Sequence, residues 1–290
     1  MKIKINTIIG KKHVLFSGGN GFIGRNVLPD LKERFNIFSP QRDELNLFDE
    51  MAIKQFIINN NIKYIIHCAN PNPSKSNIDK SERLLRDSLQ MFISIYSCRS
   101  ILEKIIYIGS GAIYDKSKDI SLIKETEAFR SIPKDDYGFA KYIMNRMTGE
   151  NIFNLCVFGC YGPGDAESKF ITHCIRCCIK NKPITIRQNC MFDYLHVYDL
   201  GKIMAWAIDA EPKYNMYNAC SGQRVSLLDI ATMIKQKMNS CSEILILKDG
   251  WNKEYTGSNL RLLKEYKQEF ISLDKGIDIQ IDWERKNYKH

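Results

Sequence analysis

The feature that most constrains this sequence is a glycine-rich turn between a strand-like and a helix-like segment. The apolar run His13–Phe16 predicts a short buried strand, and Phe22–Arg34 predicts the helix that follows. Gly18 permits the tight turn, Gly21 lets the backbone approach a phosphate, and Gly24 lets the helix pack closely on the sheet. The free N–H groups that begin such a helix bind phosphate oxygens. The turn therefore predicts dinucleotide binding, with a glycine-rich turn that holds no ligand as the alternative.

Strand-like and helix-like segments alternate along the chain. This alternation is typical of a mostly parallel sheet covered by helices on both faces. We predict an α/β fold, a Rossmann-type doubly wound parallel sheet with a smaller α/β substrate lobe. The further predicted strands are Phe35–Phe38, Tyr64–Cys68 and Ile105–Ile108, and the further predicted helices are Glu50–Asn60, Lys80–Ser100 and Phe170–Ile179.

The alternation loosens after the turn Tyr161–Gly164, which predicts a change of domain there. A chain of 290 residues is long enough to bury a full core as one large unit or as two lobes. We predict that residues 1–165, together with about 192–212, form the dinucleotide-binding Rossmann domain. Residues 166–290 would then form mainly the substrate-binding lobe.

Composition argues against several classes of protein. The longest apolar stretches, such as Tyr64–Ala69, are strand-sized and too short to span a membrane. Met1–Lys12 lacks the long apolar run of a secretory signal. The net charge of +9 comes from scattered lysines and arginines, which suits a phosphate-bearing substrate, and no nucleic-acid-binding motif accompanies it. We predict a cytoplasmic protein that binds neither nucleic acid nor membrane.

Ten cysteines raise the question of a metal site. Cys174 and Cys177 have the CxxC spacing and lie beside His173, but no second CxxC follows and the run lies in a predicted helix. Reduced, mostly buried thiols are the usual state of cysteine in a cytosolic protein. We therefore predict no metal site.

Three residues can move a proton beside a bound dinucleotide. Ser110 follows the predicted strand Ile105–Ile108, at the carboxyl end where open α/β sheets bind ligands. Tyr137 and Lys141 lie one turn apart on one face of a predicted helix, where the lysine charge would lower the tyrosine pKa. In this chain order the set predicts nicotinamide-dependent chemistry on a carbonyl or alcohol. The alternative is a surface Tyr and Lys on an ordinary helix, since this spacing often occurs by chance.

With these motifs the chain resembles the extended short-chain dehydrogenase/reductase superfamily, in particular its nucleotide-sugar epimerases, dehydratases and reductases. The resemblance covers nearly the whole chain and implies that Ser110, Tyr137 and Lys141 are catalytic. The matching segments are the cofactor fingerprint Ser17–Gly24, the serine segment Ile108–Tyr114, the loop Cys160–Asp165, the substrate-closing segment Asp193–Leu200, and the later signatures Asn218–Gly222 and Thr256–Leu260.

The resemblance also implies which residues bind the cofactor. NAD-preferring relatives end the second strand with an acidic residue, whereas Phe38–Arg42 offers none and Arg42 could pair with a 2′-phosphate. We therefore predict NADP, with NAD as the alternative and a solvated loop position as the alternative role of Arg42. Asn46 and Leu47 would flank the adenine, and Ala69 would lie along the diphosphate and ribose. The predicted cofactor set is Gly18, Asn20, Gly21, Phe22, Ile23, Gly24, Arg42, Asn46, Leu47, Ala69, Tyr137 and Lys141.

Departures from the family pattern reduce the number of reactions that this chain is expected to catalyse. Family dehydratases carry an Asp-Glu pair directly after the catalytic hydroxyl, and Gly111–Ala112 stands there in this chain. The nearest resemblance is to nucleotide-sugar 4-ketoreductases such as GDP-L-fucose synthase. In that enzyme a cysteine and a histidine carry epimerisation, and their places here are taken by Ala112 and Lys169, which do not readily replace them as acid and base. The three residues needed for reduction are retained.

The predicted function is NADPH-dependent reduction of the C4 keto group of a nucleotide-activated 4-keto-6-deoxy sugar. Tyr137 would donate the proton, Lys141 would tune the phenol, and Ser110 would orient the carbonyl. One alternative is a nucleotide-sugar 4-epimerase that keeps NAD tightly bound. A more remote alternative is a non-catalytic dinucleotide-binding sensor.

Substrate contacts and assembly also follow from the resemblance. Arg187 and Arg176 are candidates for binding the sugar-nucleotide diphosphate, with solvated surface positions as their alternative. A homodimer is implied, formed by the helix near Lys80–Ser100 and the helix that carries Tyr137. The predicted substrate contacts are Ser110, Gly111, Ala112, Lys169, Arg187 and Tyr194.

Overall fold

The computed structural model describes residues 10–71 and 81–288. The segment Met1–Lys12, the loop Asn70–Ser74 and the predicted helix start near Lys80 lie wholly or partly outside these residues. The strands are β1 (His13–Ser17), β2 (Asn36–Phe38), β3 (Tyr64–His67), β4 (Lys104–Ser110), β5 (Ile120–Ile123), β6 (Ile152–Val157), β7 (Gly159–Tyr161), β8 (Ile184–Asn189), β9 (Met191–Phe192), β10 (Tyr194–His196), β11 (Met216–Ala219), β12 (Val225–Ser226), β13 (Ile244–Trp251) and β14 (Tyr255–Gly257).

The helices in the described ranges are α1 (Phe22–Arg34), α2 (Glu50–Asn59), α3 (Leu84–Tyr96), α4 (Asp136–Arg146), α5 (Phe170–Ile179), α6 (Val197–Asp209), α7 (Leu227–Lys237), α8 (Leu260–Tyr266) and α9 (Leu273–Asn287). The predicted bounds of α1 and α5 are confirmed. The helix predicted to reach Ser100 is shorter, because α3 gives way to tighter 3-10 turns at Ser81–Arg83 and Arg99–Ile101. Such turns are common where a helix ends and the chain changes direction.

Six parallel strands form the large sheet in the order β11–β6–β4–β3–β1–β2. The chain runs outward from β1 to β2 and then returns to the other side of β1 at β3. The direction of winding therefore reverses between β1 and β3. In open parallel sheets the ligand crevice lies beyond the carboxyl ends of the strands at such a reversal. The predicted Rossmann-type doubly wound sheet is confirmed.

Alternate residues of β1 face opposite sides of the large sheet and pack into two separate cores. Val14 and Phe16 pack in a cluster with apolar residues of α1 and α6. Leu15 packs in a second cluster with residues of α2 and α3. All three side chains are fully buried, and each such burial stabilises the fold by about 1.5–3 kcal/mol. Helices on both faces thus fix the sheet and the ends of its strands.

The smaller sheets consist mainly of strands from the second part of the chain, joined by β5 and β7. Their strand orders are β12–β9–β14–β5, β8–β13 and β7–β10. Residues of α5, α7 and α9 share a core of their own, in which Ile175, Ile230 and Ile277 are fully buried. The chain also returns to the large sheet, since α6 packs in the core of α1 and β11 pairs with β6. The domain boundary between residues 165 and 166 stays a prediction.

The cysteines of the CxxC spacing lie inside α5. Cys174 and Cys177 are buried free thiols, and all ten cysteines of the chain are free. Within residues 10–71 and 81–288, no cluster of three or more His, Cys, Asp or Glu side chains could hold a metal ion. No helix in those same ranges is long and apolar enough to cross a membrane.

Candidate active site

A cavity of about 770 Å³ opens at the carboxyl ends of the central strands. Cys68, Ser110 and Val157 line it at the end of β3, β4 and β6. The opposite wall comes from the second part of the chain and includes Phe192 on β9 and Tyr255 on β14. The cavity therefore lies where the large sheet meets the small four-stranded sheet, which is the usual place for a ligand in this type of fold.

The glycine-rich turn has the close packing that a phosphate-binding turn requires. Gly18 has a φ of +84°, and a Cβ there would lie 2.7 Å from the backbone nitrogen of Ala69. A Cβ on Gly24 would lie 2.5 Å from the carbonyl oxygen of Gly19. The N–H of Gly21 donates to the carbonyl oxygen of Gly18 at 3.0 Å and closes the turn. Larger residues at these positions would force α1 away from the strands.

The N-terminus of α1 is suited to an anion. Its N-cap residue Gly21 has no side chain to bond the first N–H groups, and the first turn holds no acidic residue. Phe22 and Ile23 of this turn line the cavity. Unbonded N–H groups and the helix dipole both favour a phosphate here. The turn therefore fits the pyrophosphate of a dinucleotide cofactor.

The other predicted cofactor residues lie outside the cavity wall. Asn20 hydrogen-bonds Gln41 in the loop after β2, and the same loop carries the exposed Arg42. Asn46 is exposed, and Leu47 packs against the core of α2 and α3. The glycine turn and the loop after β2 thus lie side by side, as binding of one ligand across both requires.

The structure brings Ser110, Tyr137 and Lys141 together in the cavity wall. Ser110 ends β4, and its Oγ accepts the N–H of Ala112 at 3.2 Å. Tyr137 lines the same cavity wall as Ser110, and Lys141 Nζ lies 5.8 Å from the centre of the Tyr137 ring. Lys141 Nζ also donates to the carbonyl oxygen of Ile108 at 3.1 Å. These contacts hold both helical side chains against the strand that carries the serine.

Local sequence determines where α4 begins and how closely it approaches the turn after β4. Asp135 is the N-cap, and its carboxylate accepts the N–H of Gly138 at 2.9 Å. A Cβ on Gly138 would lie 2.8 Å from the carbonyl oxygen of Ala112, so the glycine permits the close approach. Tyr137 in the first turn and Lys141 in the second therefore face the same side.

Burial controls the protonation of the site. It lowers the pKa of Lys141 to about 8 and raises the pKa of Tyr137, although the hydrogen bond with Ser110 opposes that rise. The pKa of Tyr137 is thus raised and not lowered as predicted, and burial is the main cause. Burial also lowers the pKa of His67, at the end of β3, to about 3. At neutral pH Tyr137 is therefore a neutral phenol that can donate a proton.

Three further predicted substrate residues line the cavity with Ser110. Ala112 is buried just after the serine, and Lys169 is the N-cap residue of α5. Tyr194 on β10 packs edge-on against Tyr161, with the ring centres 5.8 Å apart. An ammonium group and an aromatic ring thus face the same space, which suits a sugar that carries phosphate.

The two predicted arginines do not line the cavity. Arg187 is exposed on β8. Arg176 in α5 forms ion pairs with Glu284 at 2.9 Å and with Glu167 at 3.0 Å. Arg176 therefore stabilises the contact between α5 and α9.

Several residues of the cavity wall were not identified from the sequence. Tyr255 on β14 lies over the predicted substrate residue Gly111, where a Cβ would lie 2.5 Å from the Tyr255 hydroxyl oxygen. Lys116 and Lys253 add two more lysines to the wall. These residues lie in loops or in a strand of three residues, where hydrophobic periodicity gives no signal. The nearby late family signature was the one indication that this segment belongs to the site.

The model of the NAD-dependent epimerase/dehydratase family matches residues 14–220. The chain belongs to this family. Among curated relatives, it is 27% identical to dTDP-4-dehydro-6-deoxyglucose reductase from Escherichia coli, in a match that covers 79% of this chain and 83% of the relative.

Solved structures share the fold over nearly the whole chain. A GDP-L-fucose synthetase from Naegleria fowleri bound to NADP has a TM-score of 0.82 at 18% identity, covering 96% of this chain and 93% of that chain. A UDP-glucose 4-epimerase from Thermus thermophilus in complex with NAD has a TM-score of 0.79 at 19% identity, covering 95% of this chain and 99% of that chain. The family and its fold thus indicate an enzyme with a nicotinamide dinucleotide cofactor, and both forms of the cofactor occur on this fold.

Proposed function

We propose that this protein uses NADPH to reduce the C4 keto group of a nucleotide-activated 4-keto-6-deoxy sugar. The observation that carries the proposal is the meeting of Ser110, Tyr137 and Lys141 in one cavity beside an anion-binding glycine turn. The Escherichia coli relative is named as a reductase of a dTDP-linked sugar of this class. Both observations favour reduction at a sugar carbonyl.

The catalytic roles follow from protonation and distance. NADPH, when bound, would supply the hydride that C4 accepts. Tyr137 is a neutral phenol at neutral pH and donates its proton to the oxygen of the developing alkoxide. Ser110 hydrogen-bonds the same oxygen, and the ammonium group of Lys141 stabilises the phenolate that Tyr137 becomes.

The charges around the cavity support a phosphorylated substrate. Lys116, Lys169 and Lys253 all line the wall, and the sugar-nucleotide diphosphate would lie among them. Tyr194 and Ala112 would contact the sugar. Arg187, exposed on β8, is not part of this proposed site.

The preference for NADP over NAD rests on the loop after β2. This loop carries Arg42 and no acidic residue between Phe38 and Arg42, so a 2′-phosphate would meet a guanidinium there. Asn46 and Leu47 would flank the adenine. Comparing the dissociation constants of NADPH and NADH for wild type and Arg42→Ala tests this choice, since the substitution should weaken NADPH alone.

Location and assembly belong to the same proposal. Ten free thiols suit a reducing compartment such as the cytoplasm.

We propose a homodimer formed by α3 and α4, which pack together and leave Ile93 of α3 47% exposed. Sedimentation velocity measures the oligomeric state directly. Residues 1–165 with 192–212, and residues 166–290, are the proposed domains.

The function is tested by the loss of reduced-nicotinamide absorbance. The purified protein is mixed with NADPH or NADH and with 4-keto-6-deoxy sugars that carry dTDP, GDP, CDP or UDP. We expect oxidation with at least one of these substrates. Tyr137→Phe should lower turnover by about 10²–10⁴-fold, because it removes the general acid, while the affinity for NADPH stays nearly unchanged.

The same experiment separates the alternatives. A nucleotide-sugar 4-epimerase would interconvert sugars without added cofactor and would be purified with NAD tightly bound. A non-catalytic sensor would bind cofactor and turn over neither type of substrate. Equal turnover by wild type and Tyr137→Phe would overturn the assignment of the proton donor.

A further inference from the structure

The inner face of α9 carries a line of polar positions inside an apolar core. Gly276, Gln280 and Glu284 are four residues apart and buried, so they follow one another along one face of the helix. Gln280 and Glu284 are fully buried. Apolar residues of α5, α7 and α9 form the core around them. The polar atoms on this face therefore need partners inside the protein, because an unpaired polar group in such a core is destabilising.

Gln280 and Glu284 each use one end of the side chain to bind α5. Gln280 Nε2 donates to Thr172 Oγ1 at 2.7 Å. Glu284 Oε2 accepts from Arg176 Nε at 2.9 Å. The other oxygen of each side chain, Oε1, is buried and has no hydrogen-bond partner among the residues that the structure describes. Turning the Gln280 amide over would place Nε2 there instead, so this end of the side chain needs a partner in either orientation.

Tyr161 and His196 face the same helix from the pair of strands β7 and β10. The two residues are directly paired, and their rings lie edge-on with centres 5.2 Å apart. A Cβ on Gly276 would overlap Tyr161 Oη and would lie 3.0 Å from His196 Cδ2, so both side chains lie against α9. Tyr161 Oη and His196 Nε2 are buried, and within residues 10–71 and 81–288 neither has a hydrogen-bond partner.

Both of these groups are donors. A phenol donates its own proton. His196 Nδ1 accepts the N–H of Tyr198 at 3.3 Å, which places the ring proton of the neutral imidazole on Nε2. Burial lowers the pKa of His196 to about 4, so the ring is neutral at pH 7.

The direction of helical side chains brings the two donors and the two acceptors into one space. Side chains of a helix lean toward its N-terminus, so Gln280 extends back toward Gly276, and Glu284 extends back toward Gln280. Gly276 is the residue that Tyr161 and His196 contact. The space is therefore bounded by α9, by α5 and by the ends of β7 and β10.

The balance of donors and acceptors indicates which ligand fits. An anion would lie beside the carboxylate of Glu284, and a cation would lie beside the protons of Tyr161 and His196. A water molecule accepts two hydrogen bonds and donates two, so it can satisfy both kinds of group. Buried polar groups of proteins are commonly joined in this way.

We propose that this space is a binding site for ordered water, which accepts from Tyr161 and His196 and donates to Gln280 and Glu284. Tyr161 also lines the large cavity. The water site thus joins the last helix of the chain to a side chain of the cavity wall. It does not depend on the proposed function, because no step of the reaction uses it.

A crystal structure at high resolution tests the site directly. We expect water density within about 3.2 Å of Tyr161 Oη and His196 Nε2, and within the same distance of the Oε1 atoms of Gln280 and Glu284. Direct hydrogen bonds among the four side chains, or no density between them, would overturn the proposal.

A double-mutant cycle in stability tests the site in solution. Tyr161→Phe removes the hydroxyl and keeps the ring, and Gln280→Met removes the amide and keeps a side chain of similar length. Groups joined through water should be coupled. The unfolding equilibrium constant of the double variant should therefore be about fivefold smaller than the two single effects predict together. Agreement with that product to within about twofold would contradict the proposal.

Tyr266→Phe is the matched control for the cycle. Tyr266 Oη is also buried without a hydrogen-bond partner in the described part of the chain, but it packs in the core of α1 and α6. Its effect should combine independently with that of Gln280→Met. Coupling as large as that of Tyr161→Phe would show that the effect is not local to α9 and would count against the proposal. These measurements need neither substrate nor cofactor, so their outcome is separate from that of the activity assay.

Discussion

Lys141 is 5% exposed, and its ammonium group lies inside the protein against β4. Burial lowers its pKa from 10.5 to about 8. Between these two values the unfolded chain binds a proton that the folded chain does not, so the contribution of Lys141 to stability rises with pH. Below about pH 8 the destabilisation from a buried charge is fully present. A proposed catalytic residue thus lowers the stability of the fold.

Lys141→Met tests this balance. The stability of the variant relative to wild type should be highest near pH 7 and should fall by about 1 kcal/mol per pH unit between pH 8 and 9.5. The free energy of unfolding in urea at pH 7, 8 and 9 measures it. Lys248→Met, on the exposed part of β13, is the control and should show no such trend. A difference that does not vary with pH would contradict the prediction.

Residues of the candidate site could be predicted where a local sequence pattern marks them, and the other residues of the site could not. Ser110 is found because it ends an apolar strand, and Tyr137 and Lys141 because they lie one helical turn apart. Tyr255 has no such signal, since it reaches the site through strand pairing with distant segments. The pKa of Tyr137 was predicted in the wrong direction, because burial is a property of the folded chain and not of local spacing.

At the level of elements, α4 depends on its cap. Asp135→Ala removes the bond to the Gly138 N–H and should cost about 1 kcal/mol of stability, whereas Asp135→Asn keeps a capping oxygen and should cost less. Because Tyr137 lies in the first turn, we also expect kcat to fall in the alanine variant. Thermal unfolding and steady-state kinetics measure both effects.

The matched control is the cap of α2. Asp49 accepts the N–H of Ala52 at 3.0 Å, and α2 contributes no residue to the cavity wall. Asp49→Ala should therefore lose stability to a similar extent and keep kcat. If both alanine variants lose kcat equally, the effect is one of general stability and not of the α4 terminus.

Long helices with a hydrophobic period could be predicted from the sequence, whereas very short strands could not. α1 and α5 have apolar residues at helical spacing, and their bounds were predicted to the residue. β9 and β14 have two and three residues, and neither was predicted. Strands this short are defined by their partners, since two or three residues carry no period.

At the scale of the whole molecule, three buried groups link stability to acidic pH. Burial lowers the pKa of His67 to about 3 and of His196 to about 4, and it raises that of Asp193 to about 6. Between about pH 4 and 6 the unfolded chain therefore binds two extra protons on the histidines, and the folded chain binds one extra on the aspartate. Stability falls with acidification, because the histidines outweigh the aspartate.

We predict that the free energy of unfolding decreases by about 1 kcal/mol per pH unit as the pH falls from 6 to 4.5. Urea unfolding at pH 7, 6 and 5 measures this slope. In His196→Asn, which retains a capping side chain for α6, the slope should be shallower. A midpoint that does not change over this range would show that the buried histidines are protonated in the folded state.

The return of the chain to the large sheet sets an order for folding during synthesis. A nascent chain that has reached residue 165 already contains the glycine turn and the three proposed catalytic residues, together with five of the six strands of the large sheet. β11 closes the edge beside β6 only after Ala219 has been made, and Tyr255 emerges later still. The proposed cofactor side of the site can therefore form before its proposed substrate side exists, and a chain that ended before Tyr255 would have the proposed catalytic serine without the phenol that lies over the neighbouring Gly111.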